Sequence, residues 1–219
     1  MAPTRKNILA LVLLLMLAFF SFLMLRIIVL YIPMHTDVAF LQLKQSYIHI
    51  TEWRIAFFVH AFTSIFVLLA GFTQFSRWLL RNKPRLHRIL GYGYVINILM
   101  VTGPAAFLMS FYANGGLSSQ IAFVLLSVLW IGSTAMALYK ALKKDFRAHR
   151  YFMMRSFALT LSALTLRIWK VLLANFTDLP PLERYRVIAW LGWTLNLLVA
   201  EWLIYRDEQK RADLTVSHQ

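Results

Sequence analysis

The sequence predicts an all-α integral membrane bundle of six transmembrane helices, and three observations carry that prediction. The chain is 60% hydrophobic and 15% charged, with a mean hydropathy of +0.63, whereas a soluble domain is closer to half apolar and a quarter charged. Its apolar residues fall in blocks of roughly twenty, the length that crosses about 30 Å of hydrocarbon as a helix. Its Lys and Arg residues gather on one side of those blocks.

In chain order, Met1 to Asn7 carries Arg5 and Lys6 and precedes an apolar stretch from Ile8 to about Ile32. That stretch is about twice as long as a signal-peptide core and has no small-x-small cleavage site behind it, so it reads as a retained anchor and helix one. Helices two to six follow at Ile55–Leu80, Ile89–Tyr112, Leu117–Leu142, Tyr151–Asn175 and Tyr185–Tyr205. Helices two to five form a four-helix core over residues 55–175, flanked by helices one and six. Residues 1–206 make one transmembrane domain, and 207–219 a charged tail expected to end in disorder. Pro33 to Trp53 mixes apolar and polar positions and is expected to lie along the interface or cap the bundle. Asn114-Gly115-Gly116 and Asp178-Leu179-Pro180-Pro181 read as tight turns.

Orientation follows from the basic residues. With the N-terminus inside, sixteen of the 23 Lys and Arg residues fall on the inner side and seven on the outer, which places both termini in the cytoplasm. The same bias accounts for the formal net charge of +14 without a nucleic-acid partner. The chain has no cysteine, which excludes disulfides, thiolate zinc sites and iron–sulfur clusters. Nucleotide loops, paired intramembrane carboxylates and nucleophile motifs are also missing from the sequence, which argues against pumps and hydrolases.

One short pattern occurs twice. Arg85-Leu86-His87-Arg88 and Arg147-Ala148-His149-Arg150 each read Arg-x-His-Arg, each in a basic loop before an apolar block. Helices two and three, and four and five, then form two hairpins of like orientation, an arrangement open to internal duplication. Helical spacing groups His60, Ser64, Val67, Gly71 and Gln74 on helix two; His87, Gly91, Tyr94, Ile98 and Thr102 on helix three; and His149, Ser156, Thr160, Ala163 and Arg167 on helix five. Such polar and small faces turn toward a bundle interior.

Four residues are site candidates. His87 and His149 lie near helix starts, where the macrodipole and flanking arginines disfavour protonation and leave the neutral imidazole that binds a metal. Facing one another beside small residues, they would suit the axial positions of a haem b; hydrogen bonding to headgroups or helix ends is the other reading. His60, about 9 Å inside helix two, is either a functional intramembrane group or a bond to a neighbouring helix. Arg167 shares the stripe of His149, and an interior arginine near His60 would suit an anion: a propionate, a lipid phosphate or a carboxylated substrate. Lys170 and Arg26 are expected to snorkel to headgroups. His35 and His49 are expected to be solvated or interfacial, and His218 to lie in the tail. Glu201 and Gln74 are expected to pair with Arg155 or Arg77, and Asn196 to bond another helix.

The series His60, Gly71, Gln74-Phe75, Arg81, Leu86-His87-Arg88-x-x-Gly91-x-x-Tyr94 and His149-Arg150-x-x-Met153-x-Arg155-Ser156-x-Ala158-Leu159-Thr160-x-x-x-Leu164-Thr165-Leu166-Arg167 resembles a widespread family of bacterial multi-pass membrane proteins of unknown function. The likeness runs from about His60 to Arg167. It implies a bacterial cytoplasmic (inner) membrane and supplies no activity. A more distant similarity is to four-helix b-type membrane cytochromes, which hold haems between histidines on alternate helices. That similarity implies a haem on His87 and His149 and a quinone or redox partner. The histidine-free stretch Leu117–Leu142 departs from a second such pair. The expectation is therefore a haem b electron carrier or quinone-linked redox protein in the lipid bilayer, or a non-enzymatic small-solute transporter or assembly protein.

Overall fold

The computed structural model describes residues 5–216. The side chains of Arg5, Lys6 and Arg77, and the whole of His218, lie outside the described residues. All regular structure described is helical. It comprises α1 (Arg5–Val29), α2 (Thr51–Gln74), α3 (Arg77–Asn82), α4 (Pro84–Asn97), α5 (Gly103–Ser110), α6 (Leu117–Leu142), α7 (Phe146–Thr160), α8 (Ser162–Phe176) and α9 (Pro181–Val216), with a 3₁₀ helix at Ala39–Lys44 and a π-helical stretch at Ile98–Thr102. Five spans are long and apolar enough to cross a membrane: Thr51–Gln74, Pro84–Ser110, Leu117–Leu142, Phe146–Phe176 and Pro181–Leu214. In α1, Ala18–Val29 forms a shorter apolar stretch. Such spans suit lipid because a helix satisfies its own backbone hydrogen bonds.

The boundaries depart from the hydropathy blocks where capping chemistry takes over. The predicted helix two stops at Gln74 rather than Leu80, and α3 restarts behind Ser76, whose Oγ accepts the Leu79 N–H at 3.2 Å. Pro84 opens α4 five residues before Ile89, because its fixed φ and missing N–H suit a first helical turn. Asp145 caps α7, accepting the Ala148 N–H at 3.1 Å, so the helix opens at Phe146, five residues before Tyr151. Its carboxyl is held below the usual range by that N–H first and by Lys140, against a smaller desolvation effect. Both Arg-x-His-Arg patterns therefore sit in first helical turns rather than in loops, and each histidine is the fourth residue of its helix. Hydropathy marks the hydrocarbon-facing part of a helix; the caps extend it into the polar zone.

The last helix is longer than its apolar block: α9 continues to Val216, past Tyr205 and through most of the charged tail, whose end lies outside the described residues. Asp207 accepts from the Tyr151 hydroxyl at 2.9 Å and from Arg211 at 2.9 Å and meets Arg150 at 3.5 Å, while Glu208 lies 3.9 Å from Arg147. These charges hold the helix onto the start of α7.

The interior stripes face inward. Val67, Tyr94, Ile98, Trp130, Leu159 and Trp193 belong to one buried cluster. At its centre the Tyr94 hydroxyl bonds Ser156 Oγ at 2.8 Å and Thr160 Oγ1 at 2.9 Å, Trp130 Nε1–H donates to Thr160 Oγ1 at 2.9 Å, and Thr134 Oγ1 meets Ser156 Oγ at 2.7 Å. This network ties α4, α6 and α7 together where lipid offers no competing partner. As expected, Asn196 bonds across helices, to the Ala158 carbonyl at 3.1 Å and Thr165 Oγ1 at 3.0 Å. Between α4 and α5, the Gly103 N–H reaches the Ile98 carbonyl, one residue beyond the α-helical partner. A Cβ at Gly103 would lie 2.2 Å from that oxygen, so the wide turn needs glycine.

The segment after α1 caps the bundle, one of the two placements expected of it. Leu41 and Lys44 are buried on one side of the 3₁₀ helix, where i and i+3 eclipse. Tyr31, Leu41, Trp53, Phe57 and Phe58 form a cluster beneath it. Gly115 and Gly116 turn the chain at the same end with φ of +88° and +75°, a region glycine enters without strain.

Candidate functional site

The cap closes over a cavity of 330 Å³, within the range of about 300–1,000 Å³ usual for small-molecule sites. Helices α1, α2, α5, α6, α7, α8 and α9 contribute to its wall. From Tyr31, Lys44 and Tyr112 near the cap it descends past His60 to Leu68, Trp130 and Thr160. From His60 to Leu68 the helix rise is about 12 Å. Most of the wall is apolar, with Met24, Ile28, Ile65, Leu126 and Leu159 among its deeper members.

Its charged groups are all basic or neutral. Lys44 Nζ donates to the Tyr112 carbonyl and, at 2.7 Å, to Asn114 Oδ1, and stands 5.0 Å from the centre of the Tyr47 ring. Burial holds this ammonium down to about 8, well below its ordinary value. Arg167 is half-buried in the wall; one N–H turns back to the Ala163 carbonyl of its own helix, and the guanidinium lies within electrostatic reach of Tyr31 and His60. His60 Nδ1 lies 3.2 Å from the Thr102 carbonyl oxygen and 3.1 Å from its Oγ1. The carbonyl can only accept from Nδ1–H, whereas the Thr102 hydroxyl can also donate to Nδ1, so Thr102 meets His60 in either tautomer. The bond lands on the π-helical stretch, an irregularity common at functional positions. Among the described residues no Asp or Glu lines the cavity, and neither Lys44 nor Arg167 has a carboxylate within 4.0 Å.

His87 and His149 stand together at the opposite, basic end. The imidazoles are close enough to interact electrostatically. His149 Nδ1–H donates to the Ala137 carbonyl at 2.8 Å, leaving Nε2 free, the orientation a metal-ligating histidine takes from its backbone partner. His87 Nδ1 is buried without a partner. The donor set therefore suits a haem iron. The space is less accommodating: Gln74 Oε1 would be 2.9 Å from a Cβ on Gly91, and Ser156 is occupied by Tyr94 and Thr134. The small residues meant to admit a flat ring are filled by side chains, and the cavity under the cap reaches neither histidine. Among the described residues, no group of three or more His, Cys, Asp or Glu is placed to hold a metal ion.

Of the four candidates, His60 and Arg167 thus share one cavity and His87 and His149 share the other end. Sequence reasoning missed Lys44, counted only as an outer charge. Its one signal was the Leu41–Lys44 spacing, which sets the lysine on the apolar side of the cap. The expected pair of Arg155 and Glu201 is present as two bonds of 2.5 and 2.8 Å.

An all-helical bundle of apolar spans, with its polar groups turned inward, defines a multi-pass membrane protein. The chain belongs to the family described as "Predicted membrane protein (DUF2306)", whose model matches residues 57–204. The match extends past Arg167 into α9, beyond the region that carried the resemblance in sequence. No curated protein and no solved structure matches the chain.

Proposed function

We propose that the protein is a non-enzymatic carrier or receptor that takes an amphipathic solute into the cavity under its cap. One observation carries this reading: a mostly apolar cavity of 330 Å³ whose two basic side chains, Lys44 and Arg167, lie toward the cap, the layout that suits a molecule with an apolar tail and a polar head. In the proposed topology α1 is a sixth membrane crossing and both termini are cytoplasmic, in the bacterial inner membrane; the sixteen-to-seven distribution of Lys and Arg supports that orientation. The test is native mass spectrometry of the purified protein with an added monoacyl compound. A one-to-one adduct is expected, lost in Ala163→Phe, which adds a ring to the cavity wall. Adducts of equal abundance in both proteins would overturn the reading.

A second reading, a haem b electron carrier or quinone-linked redox protein, has the free Nε2 of His149 beside His87 in its favour. His87 and His149 would hold the iron, and the haem would supply electron transfer. Gln74 and Tyr94 would have to move to admit it. Protein purified from haem-replete cells should then show a Soret band that His149→Ala removes; a colourless, folded protein sinks this reading.

A further inference from the structure

The carrier reading says nothing of the solute's charge, and here the cavity is more specific. Two cations lie in its wall, Lys44 buried beneath the cap and Arg167 half-buried on α8, with no carboxylate in the lining. The only described partners of their polar hydrogens are neutral: the Tyr112 carbonyl and Asn114 Oδ1 for Lys44, the Ala163 carbonyl for Arg167. A cation removed from water without a counter-charge is costly, and the cost is largest in hydrocarbon. Elsewhere in the molecule the same chain pairs its membrane-level arginine: Arg155 meets Glu201 through two bonds of 2.5 and 2.8 Å. The cap end is left one anion short.

Resting on the carrier reading, we propose that the cavity binds an amphiphile with an anionic oxygen head, a carboxylate or phosphate, on a single hydrocarbon chain, the head between Arg167 and Lys44. A guanidinium presents paired N–H donors that match either head. The tail runs between α1, α2 and α7 toward Leu68 and Leu159. A neutral-headed solute such as a quinone would occupy the apolar part and leave both cations uncompensated.

The experiment uses the full chain in zwitterionic nanodiscs, with energy transfer from Trp53 and Trp130 in the cavity wall to a conjugated polyene fatty acid. Its methyl ester and a monoalkyl phosphate serve as competitors. The acid is expected to bind at least about tenfold more tightly than the ester, because charge-assisted bonds are lost on esterification. Arg167→Leu should abolish that preference and Arg167→Lys should keep most of it. Competition by the alkyl phosphate identifies a phosphate head, and its failure a carboxylate. Equal binding of acid and ester to the unaltered protein overturns the anion but leaves the carrier. Binding of neither overturns both. Because the acid–ester comparison is made on the unaltered chain, a misfolded Arg167→Leu does not obscure the outcome.

Discussion

The two ends of the bundle differ in how they treat inward-facing cations. At the basic end Asp145, Glu201, Asp207 and Glu208 each meet a Lys or Arg within 4.0 Å, so the positive segments are partly neutralised from within. At the cap end Arg186 likewise meets Glu183 at 2.6 Å, but Lys44 and Arg167 are drawn into a cavity with no carboxylate among its described lining. The carboxylates of the basic end are used in local packing, whereas Lys44 and Arg167 are the cations that the proposed ligand would meet. An ion pair completed inside the protein contributes to folding; a cation left uncompensated weakens folding until something binds it.

That contrast can be broken most directly by deleting one arginine from each end. Arg155→Leu strands Glu201, whose side chain is 45% exposed, and after discounting for that exposure the expected loss is about 2 kcal/mol. Arg167→Leu removes a charge with no carboxylate within 4.0 Å among the described residues and should change stability by less than about 1 kcal/mol, or raise it. Chemical unfolding in detergent measures both, and equal losses would erase the distinction between the ends. A smaller effect is expected between them: Tyr94→Phe removes a hydroxyl bonded to Ser156 and Thr160 and should cost about 1 kcal/mol without altering binding under the cap. A change in ligand affinity in that variant would show that the central network belongs to the site.

The pH response sharpens the same comparison and is the smallest effect. Lys44 faces the Tyr47 and Phe40 rings, the Tyr112 carbonyl and Asn114, and across the cavity Tyr31, His60, Arg167 and Tyr185. With its ammonium held down to about 8 by burial, anion affinity should fall as pH rises through 8. Stability should move the other way. The unfolded chain keeps the Lys44 proton up to its ordinary value, so between about 8 and 10.5 it binds more protons than the folded chain and the folded state gains. Binding titrations at pH 7 and 9 check the first trend, with Lys44→Met expected to flatten it. Unfolding across the same window checks the second.

How much of this was legible beforehand differs between fold and site. The apolar blocks were readable because lipid demands long helices with internal hydrogen bonding. Their ends were not, because Pro84, Ser76 and Asp145 act through caps that hydropathy does not register. The inward stripes were readable from spacing: Tyr94 on α4, Ile98 and Thr102 on the π-helical stretch that follows it, and Ser156 and Thr160 on α7 are buried. Gly91 was read as space for a cofactor, yet the side chain that fills it, Gln74, comes from another helix, and no periodicity within α4 announces that contact.

The sequence by itself therefore determined the class of protein and which helical faces turn inward, because these depend on local composition and a 3.6-residue period. Only the tertiary structure decided that Lys44 folds back under the cap to share a cavity with His60 and Arg167, which lie 16 and 123 positions further along the chain. It also decided that no acidic side chain is among the described residues of this cavity. Charge compensation is a property of neighbours in space, and the paired arginine at one end and the unpaired one at the other lie only twelve residues apart in the sequence.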